Sequence, residues 1–380
     1  MNEEKKLVPK LRFPEFRRAE GWEMTLLEKC LGYQQPTPYL VKDERYSPIF
    51  KTPVLTAGKT FILGYTNEEH GIFREGLPVI IFDDFTTATQ FVDFPFKAKS
   101  SAMKILLAKD GANIKFMFET LRNVSFEVGA HERHWISTFA PMLVPIPKTA
   151  EQQKIADCLS SLDELIAAQA RKVHALKTHK KGLMQQLFPR EGETQPRLRF
   201  PEFRNAGEWK RQNLEDLSET ISSGKDKSAQ DGAFDLYGST GVIGRTNSGS
   251  FSGIYILVAR VGANAGLLTK ATGEFGVTDN TLVITLKKRQ VIGLDFIFFY
   301  LYQVGLNKMI FGSGQPLITG GQLKALTIQV PNAKEQQRIA DCLNSLDTLI
   351  TTATQELETF KTHKKGLMQQ LFPPAQEVAA

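Results

Sequence analysis

EQQKIADCLSSLDELIAAQARKVHALKTHKKGLMQQLFP at residues 151–189 returns as EQQRIADCLNSLDTLITTATQELETFKTHKKGLMQQLFP at residues 335–373. The copies lie 184 residues apart, align without a gap and share about two thirds of their positions. KTHKKGLMQQLFP, at 177–189 and 361–373, is identical letter for letter, whereas the middle of the stretch has diverged. Self-similarity at one fixed spacing means a tandem architecture, and it constrains the fold before any local propensity does.

Within each copy, leucine-type positions alternate by four and three. The first runs Ile155, Leu159, Leu162, Ile166, Gln169, Val173, Leu176, Lys180, Leu183, Leu187; the second runs Ile339, Leu343, Leu346, Ile350, Ala353, Leu357, Phe360, Lys364, Leu367, Leu371. A seam of period 3.5 held for about five heptads predicts a coiled-coil helix. Gln169 and Ala353 weaken the same layer, and Lys180 and Lys364 place a charge in another. Thr149-Ala150-Glu151-Gln152 fits a capping box at the first start, with Asn332-Ala333-Lys334-Glu335 shifted by one at the second. Pro189 and Pro373 stop both helices. Each helix is then roughly 37 residues and about 55 Å long at 1.5 Å per residue. A heptad seam needs a partner. The other copy supplies one, and antiparallel packing gives a pseudo-two-fold chain with a block at each end; pairing with a helix of another subunit is the alternative.

A shorter motif repeats as well. PKLRFPEFR at 9–17 returns as PRLRFPEFR at 196–204, and a tryptophan follows each, Trp22 and Trp209. Between motif and helix lies a variable block with strand-like runs at 53–55, 78–82 and 103–107, and a helix around Lys115–Arg122. The second block is glycine-dense, with strands at 254–258 and 282–286. Extended, proline-marked runs (142–147 and 325–331) lead from both blocks into the helices, while the block interiors show little similarity. The fold class expected is α+β: two globular blocks (1–150 and 190–334), two long helices (151–189 and 335–373) packed as an antiparallel coiled coil, and a tail from 374 to 380.

With 380 residues there is material for two or three cores. Apolar content of 42% and charged content of 23% are ordinary for a globular chain. Three cysteines are too few for a disulfide framework, and Cys158 and Cys342 read as small residues on a helix; both points fit a reducing compartment. MNEEKKLVPK has no apolar signal-peptide core, and FIFFYLY at 296–302 is too short to span a bilayer. The cytoplasm is the expected location, without membrane contact. Net charge is +6; residues 20–150 carry −1 and residues 208–334 carry +3. A polyanionic partner is compatible with this, provided that the cations gather in patches.

Catalytic signatures are missing. There is no P-loop, no dinucleotide fingerprint opening a helix, and no Asn/Asp-Pro-Pro-Tyr/Phe loop of an amino-methyltransferase. Asp83-Asp84-Phe85-Thr86 reads first as a turn after a buried strand and second as a DNA-facing loop. His131-Glu132-Arg133-His134 lacks the spacing of a helical zinc pair, so no metal site is expected. His179 and His363 sit in THKK runs near helix C-termini, where the dipole favours cations and where a phosphate or a partner subunit could also be met.

Two variable blocks, each passing through an extended proline run into EQQ-[KR]-IADCL-x-SLD and on to KKGLMQQLFP, resemble the specificity subunit of type I restriction–modification systems over nearly the whole chain. YGSTGVIGRTN, ARVGANAG and TDNTLVI in the second block, and PVLTAGKTFILGYTNE, VIIFDDFTTAT and KAKSSAMK in the first, resemble target recognition domains of that family. The resemblance implies that each block reads one half of a split, asymmetric double-stranded DNA site and that the helices space the halves. It implies no catalysis and no cofactor on this chain. Two modification subunits would dock and methylate adenine with S-adenosylmethionine, and two restriction/translocase subunits could join, bringing ATP and Mg. A stand-alone coiled-coil DNA-binding or scaffold protein without a methyltransferase partner is one rival reading, and a nuclease with dispersed acidic ligands is another.

A sequence reader needs loop side chains at base edges and cations on phosphates. Position in the glycine-punctuated loops selects Lys59, Thr60, Thr86, Thr87, Lys97, Lys99 and Ser101 in the first block. In the second it selects Thr240, Arg245, Arg260, Asn264, Asn280, Ser313 and Gln315. For each one singly, a structural turn or solvated surface accounts for it equally well. The identical helix ends suggest a surface used twice, with Lys180, Lys181, Lys364 and Lys365 meeting the modification subunits.

A rod of about 55 Å matches about 16 base pairs at 3.4 Å each, so the half-sites should lie about one turn apart on one face. Inserting one heptad after Val173 should lengthen the spacer of the methylated site and leave both half-sites unchanged. Methylome sequencing checks this; altered half-sites at the old spacing would remove the ruler.

Overall fold

The computed structural model describes residues 7–56, 58, 60–124, 133–287, 293–310 and 316–373. The chain divides into two compact units, residues 1–169 with 356–380, and residues 170–355. The first contains β1 (Glu23–Leu26), α1 (Leu27–Cys30), β2 (Leu31–Gln34), β3 (Thr52–Leu55), β4 (Ile62–Thr66), β5 (Val79–Asp83), β6 (Thr89–Val92), β7 (Lys97–Ala98), β8 (Met103–Ala108), α2 (Ile114–Asn123) and β9 (Leu143–Ile146). The long helix α3 (Thr149–Leu187) begins in this unit. The second contains β10 (Lys210–Asn213), α4 (Leu214–Leu217), β11 (Ser218–Ser223), β12 (Phe234–Gly238), β13 (Gly241–Thr246), β14 (Phe251–Ala259), β15 (Leu268–Val277), β16 (Thr281–Leu286), α5 (Leu294–Val304), α6 (Gly320–Ala325) and β17 (Thr327–Val330). There the second long helix, α7 (Ala333–Leu371), begins.

Strand order explains the sequence patterns. β5 is buried along its whole length because β8 and β6 flank it, hence the unbroken VIIF run. β14 is likewise enclosed by β15 and β16, but only its second half, Ile256–Ala259, is buried. The short strands that open and close each block pair antiparallel, Glu23 opposite Ile146 in β1–β9 and Lys210 opposite Val330 in β10–β17. Each block is thus a closed insertion whose ends meet.

A carboxylate in the first turn of each long helix locks this closure. Glu151 accepts from Arg12 Nε at 2.7 Å and Nη2 at 2.6 Å, and from Trp22 Nε1 at 3.3 Å. Glu335 accepts from Arg199 Nε and Nη2, both at 2.7 Å, and from Trp209 Nε1 at 3.3 Å. The forks are filled further by carbonyls, Ala19 and Glu20 in the first unit, Ala206 and Gly207 in the second. The carboxylate bonds raise both arginine pKa values and outweigh the opposing effect of burial. These contacts explain why the opening motif keeps its arginine and its following tryptophan. The expected capping box does not form: the Thr149 hydroxyl donates to Gly111 O at 3.1 Å and Gln152 Nε2 to Pro147 O at 2.9 Å. At the second start Asn332 does cap, accepting from Glu335 N at 3.0 Å.

Inside each unit the two helix segments run antiparallel. In the first, Gln169 Nε2 reaches Glu356 at 2.8 Å and Lys364 reaches Asp163 at 2.7 Å. Further along, Leu371 and Phe372 pack in one core with Ile155, Leu159 and Trp22. In the second, Lys180 reaches Asp347 at 2.5 Å, while Met184, Leu187 and Phe188 share a core with Ile339, Leu343 and Trp209. None of the seam positions read from the sequence is exposed. The helix ends also carry the opening motifs: Leu11 N donates to Gln370 O and Leu198 N to Gln186 O, both at 2.9 Å.

Removing one partner of a buried ion pair strands the other. Glu151→Ala and Glu335→Ala should each lower unfolding stability by about 3–5 kcal/mol. Denaturant titration followed by tryptophan fluorescence measures it, and a loss below about 1 kcal/mol would reduce the clamp to a surface pair.

Candidate nucleic-acid interface

In the first unit three turns converge at one end of the strands. Lys99 N donates to Leu55 O at 2.9 Å, which brings the segment after β7 to the β3–β4 turn. Asp84 N donates to Ala102 O at 3.1 Å, which brings the β5–β6 turn to the turn before β8. Thr60, Thr86 and Ser101 are exposed there, with Thr87 and Lys99 half-buried. Thr87 stands at φ +59°, and Asp83 Oδ1 holds the turn by accepting from Phe85 and Thr86 N–H. The expected turn after a buried strand is therefore what Asp83-Asp84 form. Lys59 lies outside the described residues. Lys97 is not on the surface: its ammonium is buried against Glu68 at 2.7 Å and His70 O at 2.7 Å. A residue that sequence reading passed over joins the cluster. Arg133 is exposed and lies over the Phe85 ring at 5.9 Å. His131 and Glu132 lie outside the described residues.

The second unit gathers Thr240, Arg260, Asn264 and Asn280 in the same manner. Arg260 N donates to Asn280 O at 2.9 Å, Leu267 N to Asn264 O at 2.8 Å, and Thr278 N to Tyr237 O at 3.0 Å, just before the β12–β13 turn that holds Thr240. Thr240, Asn264 and Asn280 are exposed and Arg260 is half-buried. Arg245 stands apart at the far end of the β12–β13 hairpin, tied to Asp235 and to Gly232 O at 3.1 Å. Ser313 and Gln315 lie outside the described residues, although the adjoining Pro316 O accepts from Gly262 N at 3.0 Å. The two hairpins β3–β4 and β12–β13 correspond. Each has a register shift in its first strand, each pairs in parallel with a later strand, and ILGYTN (62–67) matches VIGRTN (242–247) with Thr66 and Thr246 both buried. That six-residue echo was the available signal that the block interiors share a frame.

Both clusters offer hydroxyls and cations on turns held by backbone bonds, and the second adds the amides of Asn264 and Asn280, which is the chemistry of base-edge and phosphate contact. Among the described residues no three His, Cys, Asp or Glu side chains gather as a metal site, and no helix is long and apolar enough to cross a membrane.

Residues 206–360 match the family described as Type I restriction modification DNA specificity domain. The Type I restriction enzyme EcoR124I/EcoR124II specificity subunit of Escherichia coli is 32% identical over 88% of this chain and 92% of its own length. The chain belongs to the type I restriction enzyme specificity subunits. The MjaVIII specificity subunit of Methanocaldococcus jannaschii is 25% identical, covering 94% of this chain and 93% of that one. The fold is that of the Type-I restriction-modification system S subunit from M. genitalium, with a TM-score of 0.71 at 16% identity, over 97% of this chain and 100% of that one. Such subunits are the non-catalytic, DNA-specifying parts of their complexes, and no cofactor is called for on this chain.

In this specificity subunit the lysines of the identical helix ends divide into inward and outward groups. Lys364 is buried, bonded to Glu119 at 2.9 Å and to both Asp163 oxygens at 2.7 and 2.8 Å. Lys115 bridges the same two acids at 2.8 and 2.7 Å. Lys180 pairs with Asp347 and lies over the Phe299 ring at 4.9 Å. Lys181 and Lys365 face solvent. Burial pushes the Asp163 carboxyl up, but the bonds and charges of Lys115 and Lys364 outweigh it and hold its pKa below the usual range. A carboxylate with a depressed folded-state pKa adds stability above its unfolded value, and that contribution is lost as pH falls through the folded one. Asp163→Asn should therefore destabilise the subunit at pH 7, with the gap to the parent narrowing as pH drops below about 5. Urea titrations across that range check it; a gap independent of pH would assign the loss to packing instead.

Proposed function

We propose that this specificity subunit reads a two-part, asymmetric site in double-stranded DNA, one half per block, and places adenine-methylating modification subunits on it. The observation that carries the reading is the duplicated clamp. Arg12, Trp22 and Glu151 on one side, and Arg199, Trp209 and Glu335 on the other, hold two different blocks by the same bonds. A frame kept constant under blocks of different loop composition suits a protein that reads two unrelated sequences with one design. Thr60, Thr86, Thr87, Lys99, Ser101 and Arg133 would face one half-site; Thr240, Arg260, Asn264 and Asn280 would face the other.

Partner docking at two equivalent surfaces is supported by residues kept identical but not needed inside. Leu165 and Leu349 lie off the seam and are 51% and 54% exposed. Gly182 and Gly366 lie inside the continuous helices although a Cβ there would meet nothing, at a helix cost of about 1 kcal/mol each. With the exposed Lys181 and Lys365, these form a repeated apolar and basic surface for two modification subunits. S-adenosylmethionine would be held by those subunits, and ATP and Mg by restriction/translocase subunits that join them, all in the cytoplasm. A solved structure concerned with complex assembly of the type I R-M system is similar in fold to this chain, with a TM-score of 0.51.

Exchanging residues 31–139 for the matching block of another specificity subunit leaves the clamp in place. The methylated motif should then change in one half only. Change in both halves, read by methylome sequencing, would mean that the blocks do not read independently.

A further inference from the structure

The two blocks can be compared at one matched backbone position, the residue that follows the central strand. In the first block this is Asp84: its N–H donates to Ala102 O at 3.1 Å, and its C=O accepts from His134 N at 2.9 Å. In the second it is Arg260: its N–H donates to Asn280 O at 2.9 Å, and its C=O accepts from Ile318 N at 2.8 Å. The same pair of tethers fixes both, but the side chains are opposite in charge and in fate. Asp84 is closed off, buried with Lys104 at 3.4 Å and accepting from Trp135 N at 2.8 Å. Lys104 stands opposite Phe82 in β5–β8, and its counterpart opposite Val258 in β14–β16 is Leu282, which offers no charge.

Among the described residues Arg260 therefore has no counter-ion, and its Nε is buried there without a hydrogen-bond partner. Two hydroxyls close by in the chain trace share that condition. Thr281 faces Ala259 across the β14–β16 ladder, Thr278 opens the same turn, and both Oγ1 atoms are buried without a partner. Buried donors are nearly always satisfied, because each one left open costs the desolvation of the group. The turn itself is held firmly. Gly262 and Gly266 have φ of +77° and +90°, and a Cβ on Gly266 would come within 2.6 Å of Asn307 N. Here the chain fixes an arginine at the end of a central strand, beside the exposed Asn280, and among the described residues none bonds its side chain.

We propose that Arg260 is the side chain by which the second block reads a guanine, its planar fork matching the O6 and N7 acceptors of that base. The inference rests on the DNA-reading function above and deepens it. It makes the matched position a specificity element in the second block only, since Asp84 is already neutralised inside the first. Lysine keeps the charge but loses the fork, so it separates base reading from phosphate attraction.

The subunit is co-expressed with its own modification subunits as the parent, Arg260→Lys and Arg260→Ala, and the methylated sites are sequenced. Binding of the purified complexes to duplexes varied at each guanine is measured at two salt concentrations. In both variants discrimination at one guanine of one half-site should fall about tenfold or more, with the other half-site read as before, which also shows that the complex is assembled. Retained discrimination in Arg260→Lys, or a loss in Arg260→Ala that is uniform across sequences with the salt slope lowered by about one, would make the residue a phosphate contact and overturn the proposal. A parent complex that methylates no two-part site would instead overturn the DNA-reading function on which the proposal rests.

Discussion

Everything in each unit hangs on one buried carboxylate. Glu151 and Glu335 sit in the first turn of a long helix, with side chains almost wholly out of water. In isolation such a charge would be costly. The arginine fork and the indole N–H repay that cost, and both donors come from the segment that precedes the block. Helix start, opening motif and tryptophan are therefore interdependent, and none can drift without orphaning a buried group. This accounts for the identity of EQQ and of LRFPEF between copies better than helix propensity does. The glutamine that follows serves the same end, Gln152 donating to Pro147 O and Gln336 to Pro331 O, each at 2.9 Å.

The charged layer in the seam has a comparable logic. A lysine among leucines weakens a helix pair unless an acid meets it, and then it specifies register. Lys364 meets Asp163 and Lys180 meets Asp347, so the aspartate of each SLD triplet belongs to the lysine of the other copy. Sliding either pair by a heptad would strand a partly buried cation. The surroundings then diverge. The first unit completes the layer with Glu119 and Lys115, and the second covers Lys180 with the rings of Phe299 and Tyr302. Identity of the GLMQQLFP ends follows in good part from packing, since Met184, Leu187, Phe188, Leu371 and Phe372 are core.

Periodicity and repetition are signals that a single sequence carries in full, which is why the helices, their antiparallel sense within each unit and the tandem plan were legible from 151–189 and 335–373. Buried strands such as Val79–Asp83 and Thr281–Leu286 were legible for the same reason, as apolar runs between turns. Long-range pairing was not. Whether Lys97 faces DNA or Glu68 depends on where a loop twenty-nine residues earlier returns, and no local pattern encodes that. Identity of the helix ends assigns Lys364 to a docking surface, yet its partners are Glu119 and Asp163, 245 and 201 residues away. Arg133 was missed because its aromatic neighbour, Phe85, is distant in sequence.

The shared frame also explains how two blocks can diverge in their loop side chains while keeping the same backbone tethers. Backbone bonds at the sheet ends, Asp84 to Ala102 and Arg260 to Asn280, leave the side chains at those positions uncommitted. An aspartate is tolerated there only with a lysine on the facing strand, and once that pair forms it is sealed from the surface. An arginine with leucine in the lysine's place has no such charge facing it. On the proposed role of Arg260, charge at this one position decides whether the end of the sheet is structural or available to an acceptor outside the chain. The choice is made by two substitutions, with no change in backbone bonding.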